Sequence, residues 1–273
     1  MSSASEPIQP RLGELRFMYQ PVVSLLAEGE GWSEALVRWL LPDGTVRGPL
    51  DVLPHWLAAP RQAAFTQYTL AQAAAALGTA PDAHVAVNLS PVQALHPVTL
   101  AVLDGLLPDI RARLRVEITE QRVRDMPALS SALSAIRARC AAVLLDDVTE
   151  RDLDLRSRAI EGVDGVKLDR SVVYRLTSPD GADDAIAFVR AASERFSIVV
   201  AEGIEDAAVC ETLAALGVTH VQGFGIARPR SELEGAYVDR RIPFRPPAPE
   251  PKAFAPRRRP HRRHDAGGDP PAS

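Results

Sequence analysis

Short hydrophobic runs alternate with longer amphipathic stretches over most of the chain, from Leu15 to Tyr237. Runs rich in Val, Ile and Leu, with few polar interruptions, are typical of strands buried on both faces of a parallel sheet. Helical periodicity dominates the stretches between these runs. The predicted strands are Leu15–Val22, Ser33–Trp39, His84–Asn88, Leu114–Ile118, Ala142–Leu145, Gly165–Leu168, Ile198–Ala201 and Thr219–Gln222. The main predicted helices are Gln62–Leu77, Leu129–Arg139, Asp183–Arg195 and Ala207–Leu216, the last with Gly217 as its C-cap.

Eight strands separated by helices favour a (β/α)8 TIM-like barrel over an open, doubly wound sheet. An open sheet would be expected to begin with a glycine-rich phosphate turn, and no Gly-x-Gly-x-x-Gly motif occurs in the sequence. We therefore expect one α/β barrel domain over residues 14–240, preceded by a flexible N-terminus over residues 1–13.

The composition is that of an ordinary globular protein, with 46% hydrophobic and 24% charged residues. No run approaches the eighteen apolar residues of a transmembrane segment, and residues 1–10 lack the pattern of a secretory signal. The two cysteines, Cys140 and Cys210, are too few for a disulfide framework. These features predict a cytoplasmic protein in a reducing compartment.

The C-terminal residues 241–273 differ sharply from the rest of the chain. Nine of the 23 prolines lie from Pro243 onward, together with seven basic and three acidic residues. So much proline prevents helices and strand ladders, and little apolar surface is available for burial. We expect a disordered Pro/Arg-rich tail. Its arginine cluster, Arg257 to Arg263, is either a solvated segment, which is the more common case, or a contact for an acidic partner.

Acidic and amide residues stand at or near the ends of most predicted strands. Asp, Glu and Asn are depleted in strands and rarely buried alone, so their repeated placement is informative. In a barrel, the carboxyl ends of the strands converge on one mouth, where active sites lie. The residues concerned are Glu34, Asn88, Glu117, Glu120, Asp146, Asp147, Glu202 and Gln222, with Lys167 in the sixth strand.

Carboxylates that share one mouth repel each other and take up protons unless cations are present. Oxygen ligands without a cluster of His or Cys suit Mg²⁺, Mn²⁺ or Ca²⁺ better than zinc. None of the six histidines forms a His-x-His or His-x-x-x-His pair, which argues against a zinc hydrolase. The sequence therefore predicts a site for hard divalent cations.

Eight short motifs stand in an order that resembles the EAL domain family. They are Tyr19-Gln20-Pro21, Glu34-Ala35-Leu36-Val37-Arg38-Trp39, Asn88-Leu89-Ser90, Glu117-Ile118-Thr119-Glu120, Asp146-Asp147, Lys167-Leu168-Asp169, Ala201-Glu202-Gly203-Ile204-Glu205 and Gln222-Gly223-Phe224. The resemblance covers roughly residues 14–240. It implies a barrel that hydrolyses cyclic di-GMP to linear pGpG with two Mg²⁺ or Mn²⁺ ions, and it makes cyclic di-GMP and a second copy of the chain the expected partners.

The resemblance also assigns expected roles to individual side chains. The implied ligands of the first ion are Glu34, Asn88, Glu117 and Asp146, and those of the second ion are Asp146 and Asp147 with help from Glu202. The implied catalytic residues are Lys167, which would orient the attacking water, together with Glu202 and Gln222. The implied substrate contacts are Gln20, Leu36 and Arg38, although an exposed structural arginine is an alternative for Arg38. The implied loop anchors are Glu120 and Glu205.

The chain departs from the family pattern directly after Asp147. The family usually continues Phe-Gly-Thr-Gly-x-Ser-Ser, whereas residues 148–154 read Val-Thr-Glu-Arg-Asp-Leu-Asp. The substitution removes two glycines that adopt positive φ without strain, and it adds three acids near the expected metal site. Leu41 also replaces the usual histidine before Pro42.

Two classes of function stay open on the sequence alone. Retention of every expected metal ligand and of Lys167 favours a working phosphodiesterase. The altered loop after Asp147 favours a receptor for cyclic di-GMP, or a protein-interaction module, that does not hydrolyse the dinucleotide.

Overall fold

A computed structural model of the chain describes residues 9–27, 29–120, 123, 125–150, 162–178 and 181–235. Its strands are β1 (Leu15–Ser24), β2 (Trp32–Leu40), β3 (Val46–Arg47), β4 (Val85–Leu89), β5 (Leu114–Ile118), β6 (Ala142–Val148), β7 (Gly165–Leu168), β8 (Ile198–Ala201) and β9 (His220–Val221). Its α-helices within these ranges are α1 (Pro49–Trp56), α2 (Gln62–Thr79), α3 (Pro91–Ala94), α4 (Pro97–Gly105), α5 (Pro108–Arg113), α6 (Met126–Arg137), α7 (Arg170–Leu176), α8 (Ala182–Arg195) and α9 (Val209–Leu216). The predicted tail and most of the predicted flexible N-terminus lie outside the described residues.

The strands close into a barrel, as the sequence predicts. They follow the order β1-β9-β8-β7-β6-β5-β4-β2-β3, and β1 also pairs with β2, which joins the two sides of the sheet. All pairs from β2 through β4 to β9 are parallel. Among the described helices, none combines the length and hydropathy that a membrane span requires.

The direction of the first strand differs from the sequence-based expectation. We expected helices between all strands of a parallel sheet, but β1 runs antiparallel to both of its neighbours, β2 and β9. The physical reason is the length of the connection, because residues 25–31 are too few for the crossover that a parallel pair needs.

The second strand extends beyond the barrel. Only Ser33 to Ala35 pair with β4, and the remainder of β2 pairs with β1 and β3. This extension carries a second small core that includes Trp39, Trp56 and Phe65. Glu34, which the sequence places within the second strand, therefore lies near the end of the part of β2 that belongs to the barrel.

Alternation along each strand separates an outer core from the barrel interior. Outward residues such as Val87, Val116 and Leu145 pack with the helices, where Leu70 and Leu133 are fully buried. The inner layer is apolar and consists of Val22, Trp32, Ala86, Ala142, Leu144 and Val200. One step further along each strand, the inward residues become polar and form the mouth.

Cationic and aromatic side chains fill the opposite end of the barrel, the floor. The Arg115 guanidinium lies 4.7 Å from the centre of the Trp32 ring, and its Nη1 is 2.9 Å from Nδ1 of His84. The His220 ring stacks obliquely against Trp32 at 4.5 Å, and its Nε2 is 3.1 Å from the Glu30 carbonyl oxygen. Burial, together with the nearby guanidinium, lowers the pKa of His220 to about 4.

We predict that His220 makes the fold sensitive to acid. Its pKa is depressed in the folded protein, so the unfolded chain binds more protons as the pH falls from about 6.5 to about 4. As the pH falls through this window, the free energy of unfolding decreases by up to about 3 kcal/mol. Urea unfolding of His220→Gln should show a flatter pH dependence there than the wild type. His55→Gln, on α1, should match the wild type, and an unchanged slope in His220→Gln would contradict the prediction.

Candidate active site

Lys167 lies at the centre of the mouth with only 1% of its side chain exposed. Its ammonium nitrogen contacts four carboxylates, three from β2, β5 and β6 and one from the residue directly after β8. Nζ lies 2.6 Å from Glu202 Oε1, 2.9 Å from Glu117 Oε2, 3.0 Å from Asp146 Oδ1 and 3.2 Å from Glu34 Oε2. Because these residues stand on neighbouring strands of one closed sheet and point inward at the same end, the barrel itself brings them together.

Two amide side chains hold Glu34 in place. Asn88 Nδ2 donates to Glu34 Oε1 at 2.6 Å, and Gln222 Nε2 donates to Glu34 Oε2 at 2.7 Å. Gln222 is placed by a close approach between two loops, because a Cβ on Gly223 would lie 2.2 Å from the backbone N and O of Ile204. Only glycine fits this contact, so Gly223 sets how near Gln222 comes to the mouth.

A β-bulge presents two consecutive carboxylates to the mouth. β6 pairs in register with β7 up to Leu145 and resumes at Val148, so Asp146 and Asp147 both lie opposite Lys167 alone. Asp147 has a φ of 52°, in the left-handed region that few residues other than glycine occupy. Regular strand alternation would point the Asp147 side chain away from that of Asp146. The bulge instead brings both carboxylates to the mouth.

Three carboxylates at this bulge are close enough to share an ion. One oxygen from each of Asp146, Asp147 and Glu202 lies within 4.8 Å of the other two. Oxygen donors at such separations suit a hard divalent cation. Of the sequence-predicted ligands of the first ion, Asp146 belongs to this triad, and Glu34 and Glu117 lie beside it, around Lys167.

The carboxylates keep Lys167 charged in spite of its burial. Burial alone works to lower the pKa of Lys167, but attraction to Asp146, Glu117 and the other two acids outweighs it and raises the pKa well above the ordinary value. Burial likewise works to raise the pKa of Glu34. There, Lys167 and the two amide hydrogen bonds prevail and hold the pKa below the ordinary value.

The single ammonium of Lys167 does not balance the charge of the other acids at the mouth, and the pKa values of three of them are raised. Burial, followed by the neighbouring carboxylates, raises the pKa of Glu117 well above its ordinary value. Burial and the charge of Asp146 raise the pKa of Glu202 to about 8. Partial desolvation at the mouth and the same neighbour raise the pKa of Asp147 to about 6. Either protons or added cations must therefore relieve the excess of negative charge over one ammonium.

Buried acceptor atoms also fit a cation. Asn88 Oδ1, Glu117 Oε1 and Gln222 Oε1 are inaccessible to solvent and accept no hydrogen bond in the described part of the chain. Leaving such an atom unpaired costs about 1–3 kcal/mol. All three atoms are oxygens that accept hydrogen bonds. A bound cation can be coordinated by them, whereas a further oxygen acceptor could not pair with them. The residues present fit a divalent ion, and nothing in their arrangement distinguishes Mg²⁺ from Mn²⁺.

Two cavities meet at the carboxylates. The larger, of about 330 Å³, is lined by Gln20, Arg170, Glu205, Phe224 and the residues around Lys167. The smaller, of about 210 Å³, lies on the β2 side and is lined by Leu36, Arg38 and apolar residues of the second small core. Glu34 and Asp146 line both cavities. An elongated ligand could therefore cross the cluster with one part in each cavity.

The sequence-predicted substrate contacts lie in these cavities. Of the two predicted loop anchors, Glu205 also lines the larger cavity, whereas Glu120 is at the surface outside both. Gln20 is buried and donates to the Ala227 carbonyl, and the half-buried Arg38 donates to the Val37 carbonyl. Glu120 and Glu205 are exposed, and neither side chain has a hydrogen bond or ion pair in the described part of the chain.

The sequence reasoning missed Arg170, although the residue follows the Lys167-Leu168-Asp169 motif directly. Arg170 lines the larger cavity and is a cation at its rim. Its place at the first turn of α7, directly after a strand that carries a mouth residue, is the signal that could have identified it.

Part of the segment that departs from the family pattern after Asp147 lies within the described residues. Val148, Thr149 and Glu150 lie within the described residues, and 151–154 lie outside them. Glu150 forms an ion pair with Arg175 on α7. This pairing offsets the charge of one of the three added acids.

Comparison with known proteins identifies the family. A family model for the EAL domain matches residues 4–229. The chain belongs to the EAL domain family. This confirms the resemblance that the eight motifs indicate.

Curated EAL relatives are mostly much longer proteins. The chain is 26% identical over 225 residues to the cyclic di-GMP phosphodiesterase PdeR of Escherichia coli, covering 79% of this chain and 34% of PdeR. It is 30% identical over 226 residues to an uncharacterized signaling protein of Caulobacter vibrioides, covering 79% of this chain and 27% of that protein. The chain thus spans about a third or less of these relatives.

A solved EAL structure has the same fold. The PaMucR phosphodiesterase in complex with c-di-GMP is 27% identical in sequence and has a TM-score of 0.64. The match covers 80% of this chain and 92% of that one.

We predict that a divalent cation stabilises the protein through the triad of Asp146, Asp147 and Glu202. Ligand at about 100 times its Kd contributes about 2.7 kcal/mol, or roughly 5–10 °C in Tm for a domain of this size. Thermal unfolding with Mn²⁺ should show this rise in the wild type. Asp147→Asn, which tolerates the same backbone conformation, should lose about half of it, whereas the exposed Asp183→Asn on α8 should keep it. An equal rise in Asp147→Asn would contradict the assignment.

Proposed function

We propose that this EAL domain hydrolyses cyclic di-GMP to linear pGpG with two Mg²⁺ or Mn²⁺ ions. The observation that carries the proposal is the convergence of four carboxylates on a buried lysine, beside a triad of carboxylate oxygens in the mouth of the barrel. The relatives named phosphodiesterases support the choice of substrate.

A phosphodiester resists hydrolysis because its negative charge repels the attacking oxygen and its alkoxide leaving group is poor. Two divalent ions, when bound, would supply Lewis-acid chemistry that neutralises phosphoryl charge and makes water more acidic. The proposed ligands of the first ion are Glu34, Asn88, Glu117 and Asp146. The proposed ligands of the second ion are Asp146, Asp147 and Glu202.

Lys167 is the proposed orienting residue for the attacking water. Its ammonium has three donors and is held by contacts at 2.6–3.2 Å, so it is fixed in direction before substrate arrives. Glu202 Oε1, 2.6 Å from Lys167 Nζ, holds the ammonium in this direction, and Glu202 helps to bind the second ion directly or through a water. Gln222 keeps Glu34 in place and leaves its own Oε1 free for the mouth.

The substrate is proposed to cross the carboxylate cluster. A cyclic dinucleotide has two similar halves, and the two cavities on either side of Glu34 and Asp146 offer a place for each. Arg38 on one side provides a cation for the phosphates or a guanine, with Leu36 as an apolar wall. Gln20 faces the other half.

A receptor that binds cyclic di-GMP without hydrolysis is the second candidate, and one observation favours it. Asp147 takes a positive φ, yet the loop that follows it lacks the glycines of the family pattern. If the loop fails to hold Asp147, the second ion is lost while the substrate cavities are unchanged.

Incubation of the full chain with cyclic di-GMP and Mn²⁺, followed by chromatography, separates the two candidates. Formation of pGpG supports the phosphodiesterase. Saturable binding of cyclic di-GMP without pGpG at saturating Mn²⁺ supports the receptor. If neither binding nor product is observed, both dinucleotide functions are wrong and a protein-interaction role is the remaining interpretation.

We predict that Lys167 contributes to turnover more than to substrate binding. Lys167→Met should reduce the rate of pGpG formation about 100-fold or more, since loss of one positioned hydrogen-bond donor costs about 10²- to 10³-fold in kcat. The Kd for cyclic di-GMP, measured by calorimetry in Mn²⁺, should change little. Lys252→Met, at the other lysine of the sequence, is the matched control and should behave like the wild type. A Lys167→Met protein that keeps more than about a tenth of the wild-type rate would contradict this role.

A further inference from the structure

Asp147 needs support from its surroundings to keep its backbone conformation. A residue other than glycine in the left-handed region is strained by about 1 kcal/mol or more, and it persists only where neighbouring contacts over-determine it. In the family pattern, glycines follow this aspartate. Here Val148, Thr149 and Glu150 follow it, so the support must come from other contacts.

Backbone pairing provides the first contact. Val148 pairs with Leu168 across the β6–β7 ladder, and the Asp169 N–H donates to the Val148 carbonyl at 3.2 Å. These bonds fix the residue directly after Asp147. They do not fix the direction in which the chain then leaves the mouth.

Glu150 provides the second contact through its ion pair with Arg175 on α7. About a third of each side chain is exposed, 34% for Arg175 and 32% for Glu150, so the pair is partly shielded from water. A partly shielded pair orders its partners more effectively than a fully exposed one.

Arg175 lies on the helix that directly follows the strand of Lys167. α7 begins right after β7, and Asp169 caps its first turn by accepting from the Ser171 N–H at 2.9 Å. Arg175 Nε donates to the Ser171 carbonyl at 3.4 Å, which aligns the guanidinium along the helix. The ion pair therefore links the segment after Asp147 to the element that follows Lys167.

We propose that Arg175, acting through Glu150, is a positioning residue that holds Asp147 at the second-ion site in place of the family's glycines. The inference rests on the proposed function, because it concerns the residue that would bind the second ion. It assigns the altered loop a compensating role: the acid at position 150 is neutralised and serves as a tether.

Charge reversal tests the tether. Glu150→Arg and Arg175→Glu each break the pair and place like charges together, while the double variant restores it in reverse. Mn²⁺ binding is measured by calorimetry and by paramagnetic resonance on the full chain, without substrate. We expect each single variant to raise the Kd of the weaker of two Mn²⁺ ions about fivefold, the effect of about 1 kcal/mol for such a pair. The tighter ion should be unaffected, and the double variant should return to within about twofold of the wild type.

Three further measurements separate positioning from misfolding and from net charge. Glu150→Gln and Arg175→Gln remove the ion pair without reversing charge and should show the same loss, while unfolding in EDTA stays cooperative with Tm lowered by no more than about 4 °C. Arg190→Glu, exposed on α8, makes the same charge change away from the mouth and should bind Mn²⁺ like the wild type. Equal affinity in all single variants, or a double variant no better than the singles, would overturn the inference.

The binding measurement is independent of the proposed activity. A wild type that binds two Mn²⁺ ions but forms no pGpG would contradict the phosphodiesterase, and the charge-reversal series would still decide the role of Arg175. A wild type that binds a single Mn²⁺ ion would overturn the inference about Arg175, whatever its activity.

Discussion

The contact between one buried ammonium and four carboxylates is the constraint on which the mouth of this barrel depends. Lys167 satisfies part of the negative charge, and the acids in turn keep Lys167 protonated at 1% exposure. The sequence contains 29 arginines but two lysines, and one of them stands here. A compact ammonium with three donors can meet several carboxylates at once, whereas a planar guanidinium needs more room and a fixed fork of acceptors.

Strand alternation delivers these groups to one place. Four residues of the mouth stand two residues after an apolar inward residue, as Asn88 follows Ala86 and Glu202 follows Val200. The apolar layer excludes water beneath the cluster, which strengthens the electrostatic contacts above it. At the floor, Arg115 and Trp32 close the other end. The arrangement keeps the charged groups within one layer, open to ligands from one side.

Much of this arrangement could be predicted from the sequence. The strands of the barrel follow from short hydrophobic runs with few polar interruptions, the acids stand near the ends of those runs, and the motifs identify the family. Three features could not be predicted, because each depends on contacts between distant segments or on a local break in the pattern. The antiparallel β1 depends on a connection too short for a crossover, and the bulge at Asp147 breaks the alternation. The pairing of Glu150 with Arg175 joins the segment after β6 to helix α7 without any shared motif.

The two candidate functions share almost every side chain. A phosphodiesterase and a receptor would use the same cavities, the same amides on Glu34 and the same acids around Lys167. They differ in whether Asp147 stays beside Asp146 and Glu202, because that placement completes the triad of carboxylate oxygens. Asp147 is also the residue with a strained backbone and an altered loop behind it. The choice between binding and hydrolysis in this chain therefore depends on how firmly a few contacts outside the mouth hold one carboxylate within it.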